Sequence, residues 1–369
     1  MSDQQHLSTK RNGINDHAAA FWKWFVENEV RFRQVEKTNS EEALIFLDDL
    51  IGEMKPFNPW LKALAGPYGN DKHELIITAD GDIALFCKVE ELVQAAPAVE
   101  GWVITAHKPP LGFEGISIDM YDKEFNAKSM SFFPILNDHY PDEVDIRLTH
   151  TEYDSEEDKQ FQAGGMIYLE NGLGEINVAT KIDRYEVGPT PTVDKAVELI
   201  PVSKLNDYLN WREKEFVEKY ESVNIDRPQE EFHHLEAEDG DGKPLVAIVD
   251  AGFSEWGFKP AYPWLLQVDI QFEGDHTGLP DEKQLLELRA IEDEIRALFP
   301  EDGSIWFIGH RTYDHFRNIF FYSNEFRKNA MMLHNYIEIK SWDYDVVFFI
   351  RKDKYWRAME QYFDAQPED

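Results

Sequence analysis

From Trp264 to Arg351 the hydrophobic period switches repeatedly between two and 3.6, in an order that few folds accommodate. Trp264 to Phe272 alternates as a strand. Asp281 to Phe299 places Leu285, Leu288, Ile291, Ile295 and Leu298 on one face of a long helix. Ser304 to Thr312 and Arg317 to Ser323 read as a hairpin, and Asn324 is expected to cap a helix running to about Ile339. Asp345 to Arg351 closes the series as a strand. Strand, helix, strand, strand, helix, strand is the ferredoxin-like order. An extra hairpin precedes it, with Phe232 to Glu238 and Pro244 to Asp250 flanking Asp239-Gly240-Asp241-Gly242.

The first half is less regular. Residues 1–15 are polar and are expected to be a disordered lead-in without a secretory signal. Ala20, Phe21, Trp24, Phe25, Asn28 and Phe32 recur at helical spacing after Asp16, and Ser40 opens a second helix carrying Leu44, Leu47, Leu50 and Ile51. Strands are expected at Glu74–Ala79, Trp102–His107, Gly115–Tyr121, Lys128–Phe133, Val144–Thr151, Gly164–Glu170 and Arg184–Val187. Helices are expected at Asp82–Ala96, near Gly174–Thr180 and at Val202–Tyr220. The reading is α+β in two domains, each an antiparallel sheet with helices on one face. An N-terminal domain spans 16–222, a polar linker 223–231 contains Pro228, and the C-terminal domain spans 232–369.

Charge limits the partners. The 369 residues carry 37 Lys and Arg against 71 Asp and Glu, a formal net charge of −34. Such a field repels phosphate backbones and anionic lipid surfaces, so neither nucleic acid nor membrane is expected, and a basic protein is the expected partner. The densest acidic stretch, 138–158, holds nine Asp and Glu against one Arg. Within it Asp142, Glu143, Asp145, Glu152, Asp154, Glu156, Glu157 and Asp158 form the candidate docking edge. Cys87 is the only cysteine, which fits a reducing, cytoplasmic location. It stands in the apolar run after Ala84, where a thiol behaves as a small hydrophobe.

Chemistry-bearing motifs are sparse. The run from Gly309 to Arg317 is the richest, with His310, Arg311, Tyr313, Asp314, His315 and Arg317 as candidate binding residues. Strand alternation puts His310 and Thr312 on one face and Arg311 and Tyr313 on the other, with Tyr313 to Phe316 as the turn. A catalytic version would use His310 or His315 as a base oriented by Asp314, with Arg311 or Arg317 holding an anion. The plainer version is a solvent-facing strand with a polar turn. His234, Glu236 and Glu238 share a strand face, but a solvated face is the default, and no metal or other cofactor is assigned. The Asp239 to Gly242 run lacks the later ligands of a calcium loop and reads as a turn. Asn171 to Glu175 lacks the third glycine of a dinucleotide fingerprint and reads as a turn opening a helix.

Several stretches carry a family resemblance: Glu74 to Gly81, Gly101-Trp102, Lys108-Pro109, Gly309 to Arg317, and Asp343-Tyr344-Asp345. They resemble bacterial proteins with the domain of unknown function numbered 695, over about 225–363, with 1–222 similar to the region often attached to it. The resemblance implies no activity and no catalytic residues. At the level of fold and charge it extends to the regulator of ribonuclease E activity B, an acidic ferredoxin-like protein that binds an enzyme. The expected function is a non-catalytic binding or regulatory protein. The alternatives are a hydrolase-like enzyme with its site near 309–317, and an immunity-type protein that neutralises a basic toxin.

Overall fold

A computed structural model describes residues 16–33, 40–69, 71–191, 198–220, 225–340 and 342–365. The expectations for 1–15 lie outside these residues. The described chain folds as two compact α+β units, one formed by residues up to 220 and the other by residues from 225 onward.

In the N-terminal unit, helices α1 (16–28) and α2 (Glu41–Met54) precede strand β1 (Lys62–Tyr68). Ser40 caps α2 as expected, its side chain accepting the Ala43 N–H. The buried stripe of α2 is Ala43, Phe46, Leu50 and Met54, while Leu44 is exposed. Strand β2 (Lys72–Thr78) pairs antiparallel with β1 and parallel with β3 (Trp102–Ala106). The helix α3 (Phe86–Gln94) makes the crossover that a parallel pair requires. One face of this sheet packs on the helices: Phe25 meets Trp102 edge-on at 5.1 Å, and the Trp22 indole donates to the Leu92 carbonyl at 2.8 Å.

Next come the hairpin β4 (Ser117–Met120) and β5 (Lys123–Asn126), then β6 (Met130–Ile135) and β7 (Asp145–His150). They are followed by helices α4 (Asp158–Leu173) and α5 (Glu175–Lys181), strands β8 (Arg184–Gly188) and β9 (Ile200–Pro201), and helix α6 (Leu205–Tyr220). The sheet order is β8-β7-β6-β9, with β7 and β8 parallel.

Two expectations are corrected here. The unit does not hold one antiparallel sheet; it holds three separate sheets, two of them with a parallel pair. Residues Gly164 to Glu170 lie within α4 rather than in a strand. Gly164, Tyr168 and Gly172 recur every four residues and share a helix face. A Cβ at Gly164 would stand 2.2 Å from the Phe125 ring, and one at Gly172 would stand 2.0 Å from Phe113. The glycines therefore let the helix backbone rest on aromatic rings of the core.

The C-terminal unit follows its expected order closely. Strands β10 (Phe232–Glu238) and β11 (Pro244–Asp250) form the hairpin, with Asp239 Oδ1 accepting the Asp241 and Lys243 N–H groups in the turn. Then come β12 (Trp264–Gln271), α7 (Glu282–Arg296), β13 (Ile305–Tyr313), β14 (Phe316–Ser323), α8 (Arg327–Ile339) and β15 (Asp345–Lys352). The six strands form one antiparallel sheet in the order β10-β11-β13-β14-β12-β15. Asp281 and Gln284 close a reciprocal capping box on α7. Asn324 does not cap α8; Phe326 holds that position without a side-chain bond. A helix absent from the expected order, α9 (Arg357–Phe363), packs against the β10–β11 end of the fold. There Trp356 stacks on Tyr322 at 4.1 Å. The stretch expected as a linker is tied to this unit, since Arg227 and the Glu231 N–H both bind the buried Asp250 carboxylate.

Candidate functional site

The β13–β14 connection is a two-residue turn in which Asp314 and His315 both adopt positive φ, 46° and 68°. The loop after β12 wraps it. The His315 N–H donates to the Gly278 carbonyl at 2.9 Å, and the Phe272 N–H donates to the His315 carbonyl at 2.9 Å. Gly278 has φ of +83°, and a Cβ there would sit 2.9 Å from Asp314 Cα, so the loop reaches the turn because residue 278 is glycine.

Beside this turn lies a cavity of about 890 Å³. Its wall carries six carboxylates, Glu273, Asp281, Glu287, Asp314, Asp343 and Asp345, against one lysine, Lys283. Phe272, Phe316, Trp342 and Tyr344 supply the aromatic surface. Tyr344 donates to Glu287. Burial and then this bond push the tyrosine up to about 12, while the bonds from Tyr344 and Lys283 hold the Glu287 carboxyl below its ordinary value.

The residues singled out in the sequence are dispersed by the fold. Asp314 and His315 line the cavity, but Asp314 pairs with Lys243. His315 Nδ1 accepts the Gly274 N–H at 3.1 Å, which assigns the proton of the neutral ring to Nε2. Toward the cavity the ring is then a donor rather than a base.

His310 lies under α7 with Nδ1 2.8 Å from the Glu292 carboxylate, and Arg317 Nη1 is 3.6 Å from the same oxygen. All three side chains are buried. Arg311 faces the opposite side, where its Nε and Nη2 donate to Asn318 Oδ1 at 2.9 and 2.6 Å. Tyr313 donates to Asp239 at 2.6 Å. The pairing of His310 or His315 with Asp314 that a catalytic version would use is not formed, because each of these groups meets a partner from another part of the chain.

The acidic stretch is likewise partly consumed within its own unit. Asp145 and Glu143 are buried, and Arg184 pairs with both. Asp142 takes Lys219 at 2.7 Å and the Tyr220 hydroxyl at 2.9 Å. Asp158 accepts from Tyr153 at 2.8 Å, and Lys123 stands 3.3 Å from Glu157. Glu152, Asp154 and Glu156 are the exposed members. Among the described residues no group of three or more His, Cys, Asp or Glu has the arrangement to hold a metal ion.

Residues 235–364 match a family described as a family of unknown function (DUF695). The C-terminal unit belongs to that family. The match begins within β10 and ends just past α9, so every residue that lines the cavity lies inside the DUF695 segment. No curated protein and no solved structure matches the chain. Sequence reasoning included Asp343-Tyr344-Asp345 only through the family likeness. It missed Glu273, Asp281, Glu287 and Trp342, whose one local signal was the cap at Asp281.

Proposed function

We propose that the chain is a non-catalytic binding protein, and that its DUF695 unit takes a cationic side chain of a basic protein partner. One observation carries this reading: the cavity sets six carboxylates and four aromatic side chains, Phe272, Phe316, Trp342 and Tyr344, against a single lysine. An ammonium or guanidinium gains there from ring faces and from charge-assisted hydrogen bonds together. The hydrolytic reading near 309–317 loses the arrangement it relied on, since His315 Nδ1 already accepts the Gly274 N–H and Asp314 pairs with Lys243. The Cys87 thiol is no alternative nucleophile, because burial pushes it up to about 12.

The test is calorimetric titration of the full chain with a lysine-rich peptide and with its fully acetylated form. The expected result is binding by the first, weakened by salt and by roughly tenfold on Asp343→Lys, an exposed position. Equal binding by the acetylated peptide, or no response to the charge reversal, would overturn the proposal.

A further inference from the structure

The sheet β1-β2-β3 buries one face and leaves the other open. Ala63, Leu75, Ile77 and Trp102 are buried toward the helices. On the opposite face Leu64, Ile76 and Val103 floor a cleft of about 940 Å³, with Ile167 of α4 and Leu111 on its far wall. Leu64, Tyr68 and Leu111 are 46%, 48% and 58% exposed, an unusual apolar grouping for a chain of such charge. Gly66 lines up with Glu74 in the register, and a Cβ built on it meets nothing within 4 Å, so the floor has room beside that carboxylate.

The polar end of the cleft stands at the carboxyl ends of the parallel strands, where open α/β sheets place ligands. Lys108 Nζ lies 2.6 Å from Asp80 and 3.0 Å from Glu170, so this lysine is already neutralised. Asp80 keeps 57% of its side chain exposed. The Ala79, Gly81 and Lys108 N–H groups, which could have held a phosphate, all donate to the Glu175 carboxylate.

We infer that this cleft docks a basic amphipathic α-helix of a partner protein. The uncovered sheet face needs a second layer, and a helix supplies one. Strand addition is opposed at β1, an edge strand interrupted by Pro67. Glu74, Asp80 and Glu170 outnumber Lys62 and Lys108 by one, and Asp80 keeps more than half of its side chain exposed, which favours basic residues on the helix flank.

The experiment uses the full chain carrying Asp343→Lys, which suppresses the separate cation site proposed in the other unit. Three synthetic peptides are titrated: a basic amphipathic helix, a scrambled isomer of equal charge, and an acidic amphipathic helix. The expected result is helicity gained on binding by the first alone, at least about tenfold tighter than its isomer. Leu64→Asp and Leu111→Asp, both at exposed positions, should each remove at least about tenfold of that affinity. Equal binding by the isomer or by the acidic peptide would overturn the inference, as would full affinity in both variants. A chain that self-associates in sedimentation, and loses this with Leu64→Asp, would assign the cleft to a second copy instead.

Discussion

The Glu175 carboxylate accepts the Gly81 N–H at 2.8 Å across 94 residues of sequence. The same side chain accepts from the Thr78 hydroxyl at 2.7 Å and from the Ala79 and Lys108 N–H groups at 3.1 Å each. It thereby joins the ends of β2 and β3 to the first turn of α5. Gly174 makes the approach feasible, because a Cβ there would stand 2.8 Å from the Pro110 nitrogen.

This pin has a pH signature. Burial alone would raise the Glu175 carboxyl, but the nearby His107 ring at 3.7 Å and the bonds from Thr78, Gly81 and Lys108 outweigh it and hold it at about 2. A folded value below the unfolded one stabilises above the unfolded range and is lost as pH falls from about 4.3 toward 2. The shift corresponds to roughly 3 kcal/mol at neutral pH. Urea denaturation at pH 7 and pH 3 should show Glu175→Gln less stable by about 2–3 kcal/mol at pH 7, with the gap narrowed by roughly half or more at pH 3. A gap that persists unchanged at pH 3 would contradict the assignment.

The glycines of α4 offer a second check. Gly172→Ala drives a methyl into Phe113 and should cost about 1–3 kcal/mol or more. Gly66→Ala, whose methyl meets open space, should leave stability within about 1 kcal/mol. Equal denaturation midpoints for the two variants would show that the helix does not rest on the ring.

Glu292 is buried against both His310 and Arg317. Removing its charge with Glu292→Gln leaves a buried guanidinium without its counter-charge and should cost about 3–5 kcal/mol. The double variant Glu292→Leu with Arg317→Met should recover most of that loss. A double variant no better than the single would mean that the site needs these polar groups for packing rather than for charge balance.

Cys87 should be silent to thiol reagents. With its thiol pushed up to about 12, the thiolate fraction at pH 8 is on the order of 10⁻⁴. Alkylation should proceed only in denaturant. Modification of the native chain at the rate of the unfolded one would count against the buried placement.

Local order was enough to read most of the C-terminal unit. The limits of β10 and β11 and the start of α7 near Asp281 were set by alternation, turn residues and helical periodicity, all of which act within a few positions. The turn expected over Tyr313–Phe316 was legible for the same reason, and the structure narrows it to Asp314-His315. Strand β1 was not, because Gly66 and Pro67 weaken its pattern and pairing with β2 sustains it. Gly164 to Glu170 was expected as a strand and is helical in the structure, where the helix backbone at Gly164 rests on the Phe125 ring.

Charge shows the division most clearly. The total of −34 is a property of the sequence. Which carboxylates remain available is a tertiary matter: Asp145 is sequestered by Arg184, Asp80 stays exposed beside Lys108, and six acids from separate segments converge beside the Asp314-His315 turn. Hydrogen-bond partners and cavity walls come from residues tens of positions apart, so periodicity and spacing cannot bring them together, while the packed chain does.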